Sequence, residues 1–237
     1  MKNTTLLLLA SALLFSCAKE RDNTPRYELA LSKAEISMHF DQTDSLAVVH
    51  VADETLLLDF VFTSSDTNVV QVSNYGVVSG ISVGTATITA SATNGTASAT
   101  CSVTIVPYSN MYVEPPFKWD MTRTEALNHI AEGDLLRVIS GGDIYAKWIT
   151  PVDSIRYNFD NLGVFFGTGL YIDISTDLLS DEAMLFVRER SGTDYRMSDD
   201  GRHVFQSRHD SNLEIRVRRR AGSDGRISIV YGVVGQF

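Results

Sequence analysis

Apolar and polar residues alternate with a period of two through the first third of the chain, which predicts short β-strands. In the clearest run, Gly84–Ala90, small and branched apolar residues share one face and threonines share the other. Asn94-Gly95 then supplies a hairpin turn, and the next strand places Cys101 on its apolar face. About seven such strands between residues 27 and 107 predict a β-sandwich in which Cys101 is a buried thiol.

The pattern changes after Pro107. Residues 108–118 include Pro115-Pro116 and predict an interdomain linker. The capping box Thr122–Glu125 predicts a helix that ends near Gly133, and apolar residues at helical spacing predict a second helix within residues 176–190, capped by Gly192. Further strands are predicted at 135–140, 144–150, 154–159, 164–174, 203–207, 212–220 and 226–234.

The predicted fold class is therefore an all-β sandwich followed by a small α+β domain. In the second domain, residues 119–237, two helices are expected to cover one face of an antiparallel sheet.

The first residues of the chain predict an export signal. Lys2 precedes an apolar run, Leu6 to Phe15, that is too short to span a membrane as a helix. The sequence Leu14-Phe15-Ser16-Cys17 resembles the lipobox of bacterial lipoproteins, although Phe15 is bulkier than the usual residue. The resemblance implies a signal peptide over residues 1–16, lipid attachment at Cys17, and a tether over 17–26 that holds the protein on the bilayer. An ordinary secretory signal is the alternative.

The first domain resembles a known family in its motifs. Ser64-Ser65, Asn68-Val69-Val70, Gly76–Gly80 and Gly84–Ala90 resemble the bacterial immunoglobulin-like domain, group 2, across residues 27–107. Phe62 stands where that family usually has Trp. The resemblance implies a sandwich used as a spacer or adhesive module in surface proteins, with no enzyme chemistry.

The C-terminal domain shows only a diffuse resemblance. Its order of Glu114-Pro115-Pro116, Trp119, a capped helix, Tyr157-Asn158-Phe159 and a late helix resembles a recurring region of Ig-like lipoproteins from Gram-negative anaerobes. This resemblance implies no activity.

The distribution of charge narrows the classes of ligand that the protein can bind. The net charge is −9, and residues 27–107 contain eight acids against one base, Lys33, which disfavours nucleic acid as a ligand. Residues 108–237 contain nineteen acids and fifteen bases, and thirteen of these bases are arginine.

Only two cysteines exist, and lipidation of Cys17 leaves Cys101 without a disulfide partner.

The sequence contains no recognised catalytic constellation. The five histidines lack metal-ligand spacing, and serine-hydrolase, zinc-protease and phosphate-loop motifs are absent. The acidic pairs Asp181-Glu182 and Asp199-Asp200 are explained by a helix start and a turn. We therefore predict no catalytic residue, no metal site and no cofactor.

The predicted strand over residues 212–220 carries the most distinctive polar pattern. Arg216, Arg218 and Arg220 share one face, and their neighbours Leu213, Ile215 and Val217 share the other. The arginines are candidates for binding an anionic glycan or an acidic protein, and a solvated face with arginines paired to nearby acids is the alternative. Candidates for stacking on sugar rings are Trp119, Trp148, Tyr145 and Tyr157, with core packing as the alternative.

Together these features predict a non-enzymatic lipoprotein of the bacterial outer membrane, on the cell-surface or the periplasmic face. Its Ig-like stalk would present a C-terminal domain that binds a protein or glycan. Two alternatives remain open: a glycan-processing or hydrolytic accessory domain held off the membrane by the stalk, and a purely structural envelope component. The sequence does not indicate an oligomeric state.

Overall fold

The computed structural model describes two packed domains, in residues 29–50, 59–93, 97–115, 117–131, 133–138, 142–148, 152–173, 177–191, 195–198, 201–218 and 226–235. The predicted signal peptide, the lipid-attachment residue Cys17 and the tether lie outside these residues. Across the described ranges, no helix combines the length and the apolar character needed to cross a membrane.

The first domain is a β-sandwich. Its described strands are β1 Leu29–Leu31, β2 Glu35–His39, β3 Thr43–Ser45, β4 Val48–His50, β5 Phe60–Ser64, β6 Val70–Val72, β7 Val77–Gly80, β8 Gly84–Ala92 and β9 Ser98–Val106. They form a four-stranded sheet, β2-β9-β8-β5, a three-stranded sheet, β3-β7-β6, and the pair β1-β4. Strand β2 runs parallel to β9, and the other pairs are antiparallel.

Strands β8 and β9 form the centre of this sandwich. Ile88 lies directly opposite Cys101, and both side chains are fully buried. The predicted burial of Cys101 is confirmed. The predicted turn at Asn94-Gly95 lies outside the described residues.

The apolar run at residues 46–51 predicts one strand, and here the structure differs. Ser45 ends β3, which pairs with β7, whereas β4 pairs with β1. Between them, Leu46 packs into the core and its N–H donates to the carbonyl of Gly76, while the Ala47 N–H donates to Ser32 Oγ. The chain thus changes sheets at Leu46, which a period-two pattern does not reveal.

The second domain is built on one antiparallel sheet of eight described strands. They are β10 Leu135–Val138, β11 Ile144–Lys147, β12 Ser154–Phe159, β13 Phe165–Asp173, β14 Tyr195–Met197, β15 His203–Gln206, β16 Leu213–Arg218 and β17 Arg226–Val233. Their order across the sheet is β10-β11-β12-β13-β17-β16-β15-β14. Two four-stranded meanders therefore meet where β13 pairs with β17.

Two helices pack on one face of this sheet, as predicted. Helix α1, Arg123–Asn128, begins at the expected capping box: the Glu125 N–H donates to Thr122 Oγ1, and the Thr122 N–H donates to Glu125 Oε2. It ends at His129, short of the predicted end near Gly133.

Helix α2, Asp177–Ser191, supplies the larger part of the helical layer. It buries Ala183, Phe186 and Val187 against the sheet, and its predicted cap, Gly192, lies outside the described residues. Strand β14 was not predicted, because three residues with exposed Met197 give no alternation to detect.

Helix α2 also joins the two domains. The side chain of Glu189 is completely buried, and its carboxylate accepts the backbone N–H groups of Tyr108, at 2.7 Å, and Ser109, at 3.1 Å. Arg190 Nη1 donates to the same carboxylate. The backbone carbonyl of Glu189 accepts the Val83 N–H from the sandwich at 2.7 Å.

Side chains extend this junction. Tyr108 stacks on His39 with ring centroids 3.7 Å apart, and its hydroxyl donates to Asp41. The guanidinium of Arg188 lies over Phe40, and Leu185 packs against the core of the sandwich. The first residues of the predicted linker are therefore held in place by both domains.

Candidate ligand-binding face

The predicted arginine stripe on β16 divides into two environments. Ile215 and Val217 are core residues, as predicted. Arg216 lies on the opposite face, its side chain is only 12% exposed, and its Nε donates to Glu214 Oε1 at 2.5 Å. Arg218 is exposed, and Arg220 lies outside the described residues. Arg216 is thus occupied by a buried carboxylate, as in the alternative of arginines paired to acids.

The same sheet face carries more arginines, which the strand register aligns. Residues directly opposite one another in consecutive strands form a single row across all eight described strands: Arg137, Tyr145, Arg156, Gly169, Val230, Arg216, Val204 and Arg196. Four of these eight positions are arginine. In β11, β12, β13, β17, β16 and β15 the row lies on the face away from the helices, because flanking residues such as Ile144, Ile155 and Ile229 pack into the core. All four residues of β10 are exposed.

One end of the row forms what we call the Arg–Tyr patch: Arg137, Tyr145, Arg156 and Tyr171. The guanidinium carbon of Arg137 lies 4.4 Å from the centroid of the Tyr145 ring, and that of Arg156 lies 5.2 Å from the same ring. Tyr171 lies over Gly169, where an added Cβ would stand 3.1 Å from the tyrosine hydroxyl. Cations and aromatic rings therefore alternate across four strands, and both guanidinium groups lie at a distance from Tyr145 that favours cation–π attraction.

Asp143 fixes the inner arginine of the patch. It is buried, and its Oδ2 accepts both Nε and Nη2 of Arg156, while its Oδ1 accepts the Phe159 N–H. Burial alone would lower the pKa of Arg156, but the hydrogen bond and charge of Asp143 raise it overall. Arg156 is thus a permanently charged and oriented platform beside Tyr145.

The outer cations of the patch are available to a ligand. Arg137 is exposed, and within the described part of the chain it has no carboxylate partner. Lys147 is also exposed and lies two residues from Tyr145 on the same face. Arg137, Lys147 and Arg156 thus place three cations on this face, of which Asp143 pairs with Arg156.

The second domain also contains a cleft of about 490 Å³, lined by Trp119, Asp160, Val164, Phe165, Phe166 and Val233. The indole N–H of Trp119 donates to Asp210. Asp160 Oδ1 accepts the N–H groups of Leu162 and Val164 within its own turn. A glycoside hydrolase of the usual kind uses two converging carboxylates, and the described lining supplies Asp160 alone.

A buried hydroxyl pair lies beneath the sheet. Tyr112 and Tyr231 share a hydrogen bond at 2.7 Å, and the Tyr231 hydroxyl donates to Glu114 Oε1 at 3.3 Å. Desolvation of the Glu114 carboxyl group raises its pKa. The two tyrosines belong to the hydrophobic core.

The remaining aromatic candidates from the sequence differ in how deeply they are buried. Tyr157 is completely buried in the core, and the Trp148 indole donates to the Val113 carbonyl. Tyr145 is the candidate aromatic residue that lies in the Arg–Tyr patch. Among the described residues, no group of three or more His, Cys, Asp or Glu side chains is placed to hold a metal ion.

The sequence did not identify Arg137, Arg156 or Tyr171 as site residues. Each lies on the polar face of a predicted strand, at 135–140, 154–159 and 164–174 respectively. Their convergence depends on strand order and register, which the alternation within one strand does not define.

Comparison with known proteins identifies the first domain. The family profile of the bacterial Ig-like domain (group 2) matches residues 30–103. An uncharacterised protein of Clostridium acetobutylicum is 36% identical over 86 residues, which is 36% of this chain but only 9% of that much longer protein. The predicted family of the sandwich is confirmed.

Solved structures give a weaker comparison. Domains 5–6 of the S-layer protein SbsC align with 88% of this chain and 85% of that structure, at 13% identity and a TM-score of 0.28. Domains 1–6 of the same protein align with 88% of this chain and 25% of that structure, at 12% identity and a TM-score of 0.29. TM-scores this low do not establish a shared overall fold.

Proposed function

Since residues 30–103 are a bacterial Ig-like domain of group 2, we propose that the protein is a non-enzymatic, lipid-anchored envelope protein whose C-terminal domain binds an anionic partner at the cell surface. The Ig-like domain is the spacer, and the Arg–Tyr patch is the contact surface. The observation that carries the proposal is Arg137, an exposed guanidinium stacked on Tyr145 and without a carboxylate partner in the described chain.

The junction supports the spacer role. A completely buried carboxylate, Glu189, holds the start of the linker and one of its own neighbouring arginines, and its backbone bonds the sandwich. Removing one partner from a buried charge that has several donors strongly destabilises a protein. Bending the junction would break these hydrogen bonds and is therefore unfavourable. A stalk that fixes the direction of the binding domain would present the patch in a constant orientation.

A binding screen tests the contact surface. The chain from Arg26 onward would be tested against glycan arrays and extracts of surface proteins, beside an Arg137→Ala/Tyr145→Ala variant. Arg218→Ala is the matched control, because Arg218 is exposed on the same sheet but outside the patch. We expect binding that is lost in the double variant and kept in the control. Binding that survives in the double variant would place the contact surface elsewhere.

The anchor requires a separate test, since Cys17 lies outside the described residues. Replacing Cys17 with Ala should release the protein from the membrane fraction if the lipobox is used. Protease treatment of intact cells would then distinguish display on the surface from residence on the periplasmic face. Membrane association that survives Cys17→Ala would contradict the lipid anchor.

A further inference from the structure

The spacing and chemistry of the Arg–Tyr patch specify its ligand further. We propose that the patch binds a linear acidic polysaccharide that lies across the strands and carries its carboxylates sparsely. This inference rests on the proposed function, since it names the ligand class of the same surface.

The direction of the ligand follows from the register. Arg137, Tyr145 and Arg156 are directly opposite one another in three consecutive strands, and Tyr171 lies over the next position of the row, Gly169. The row therefore runs perpendicular to the strands. An extended polymer that follows it would contact one patch side chain at each strand.

The sparse charge of the ligand follows from the groups that are already occupied and from the strand spacing. Arg137 and Arg156 both lie over the ring of Tyr145, and Arg156 is held by Asp143. On the row, the guanidinium group of Arg137, at β10, and the ring of Tyr171, at β13, are left to contact a ligand. Neighbouring strands are about 4.8 Å apart, so these two positions are separated by about 14 Å. One carboxylate and one stacked sugar would therefore be bound over this length.

The charge of the ligand follows from the partners of the cations. Arg156 is already held by Asp143, whereas Arg137 and Lys147 have no carboxylate partner among the described residues. A guanidinium group binds a carboxylate through two parallel hydrogen bonds, and the stacked geometry leaves the edge of Arg137 available for that contact.

The rest of the molecule disfavours a densely charged polymer. The Ig-like domain has eight acids against one base, and the C-terminal domain has nineteen acids against fifteen bases. A polyanion with a charge on every unit, such as single-stranded DNA, would be repelled by these surfaces over most of its length. A sparsely charged glycan meets a local positive patch without that repulsion.

Calorimetric titration of the full-length protein, purified in detergent, tests the inference. The probes are hyaluronan oligosaccharides, which alternate charged and neutral sugars, carboxyl-reduced hyaluronan, oligogalacturonate, which is charged on every sugar, and oligo(dT). We expect binding to hyaluronan, at least about tenfold weaker binding to oligogalacturonate and oligo(dT), and none to the carboxyl-reduced form.

Three variants and one control variant locate the contact. Arg137→Ala and Tyr145→Ala should each weaken hyaluronan binding by about tenfold or more, and Arg137→Lys should recover only part of it, because an ammonium group lacks the planar pair of donors. Arg218→Ala should bind like the unmodified protein. Circular dichroism spectra of all variants would show that the fold is intact.

The outcomes separate the two proposals. Equal affinity for hyaluronan and oligo(dT), or affinity unchanged in Arg137→Ala and Tyr145→Ala, would overturn the inference. If no acidic glycan binds but a protein partner is lost in the Arg137→Ala/Tyr145→Ala variant, the ligand class is wrong while the proposed function stands. If neither glycan nor protein depends on the patch, both are wrong.

Discussion

The buried carboxylate of Glu189 accepts the backbone N–H of Tyr108 at 2.7 Å, across a separation of 81 residues. Tyr108 in turn stacks on His39 of the sandwich. A helix of the second domain thereby fixes the first residue after the Ig-like domain. This relationship joins the Ig-like domain and the C-terminal domain through direct contacts.

Replacing Glu189 with Ala should uncouple the domains. The two N–H groups and Arg190 would lose a buried anionic partner, so we expect the free energy of unfolding to fall by about 3 kcal/mol. Glu182→Ala is the control, because Glu182 is partly exposed and accepts a single hydroxyl, that of Ser109. Urea unfolding measures both variants, and equal losses would contradict the special role of Glu189.

Replacing Tyr157 with Phe should not destabilise the protein. The Tyr157 hydroxyl is buried and has no hydrogen-bond partner among the residues that the structure describes, and burial raises the pKa of this residue to about 12. Removing an unsatisfied buried hydroxyl should leave the free energy of unfolding unchanged or raise it by about 1 kcal/mol. Tyr112→Phe, which removes the bond to Tyr231, should lower it by about 1 kcal/mol. In thermal unfolding, a lower melting temperature for Tyr157→Phe than for Tyr112→Phe would contradict this account of the two hydroxyl groups.

Cys101 should be chemically silent in the native protein. Burial raises the pKa of its thiol, and its side chain has no solvent exposure. In the chain from Arg26 onward, which lacks Cys17, a thiol reagent should label nothing until denaturant is added, and then one group. Rapid labelling without denaturant would mean that the centre of the sandwich opens readily.

Acid should weaken the start of helix α1. The Thr122 N–H, the Thr122 hydroxyl and Lys118 lower the pKa of Glu125 from 4.5 to about 2. Because the folded-state pKa is the lower one, the stabilisation is complete above about 4.5 and is lost as the pH falls toward 2. The stability difference between the protein and Glu125→Gln should therefore shrink over this interval. A difference that does not vary with pH would refute the assignment.

Local patterns predicted most of the elements. The alternation at Gly84–Ala90, the capping box at Thr122–Glu125 and the apolar face of helix α2 depend on neighbours within a few residues, so the sequence reports them directly. Helix α1 ends early because the chain turns at His129, where the residue's N–H bonds the carbonyls of Ala126 and Leu127. No apolar spacing records that turn.

The proposed binding surface could be predicted only in part. Composition revealed an arginine-rich second domain, but it directed attention to Arg216, which Glu214 occupies. The Arg–Tyr patch arises from strands β10 to β13, where one residue from each strand enters the row. Strand register and the burial of Asp143 decide which arginine is held and which is exposed, and neither is encoded within a single strand.

Site-specific photo-crosslinking on living cells tests the central claim most directly. A diazirine amino acid would replace Lys147, at the margin of the Arg–Tyr patch, or Tyr75, which is 93% exposed on the Ig-like domain. We predict that position 147 captures a surface glycan or protein, that Arg137→Ala abolishes the capture, and that position 75 captures nothing comparable. Capture from position 75 alone would show that the Ig-like domain, and not the C-terminal sheet, contacts the partner.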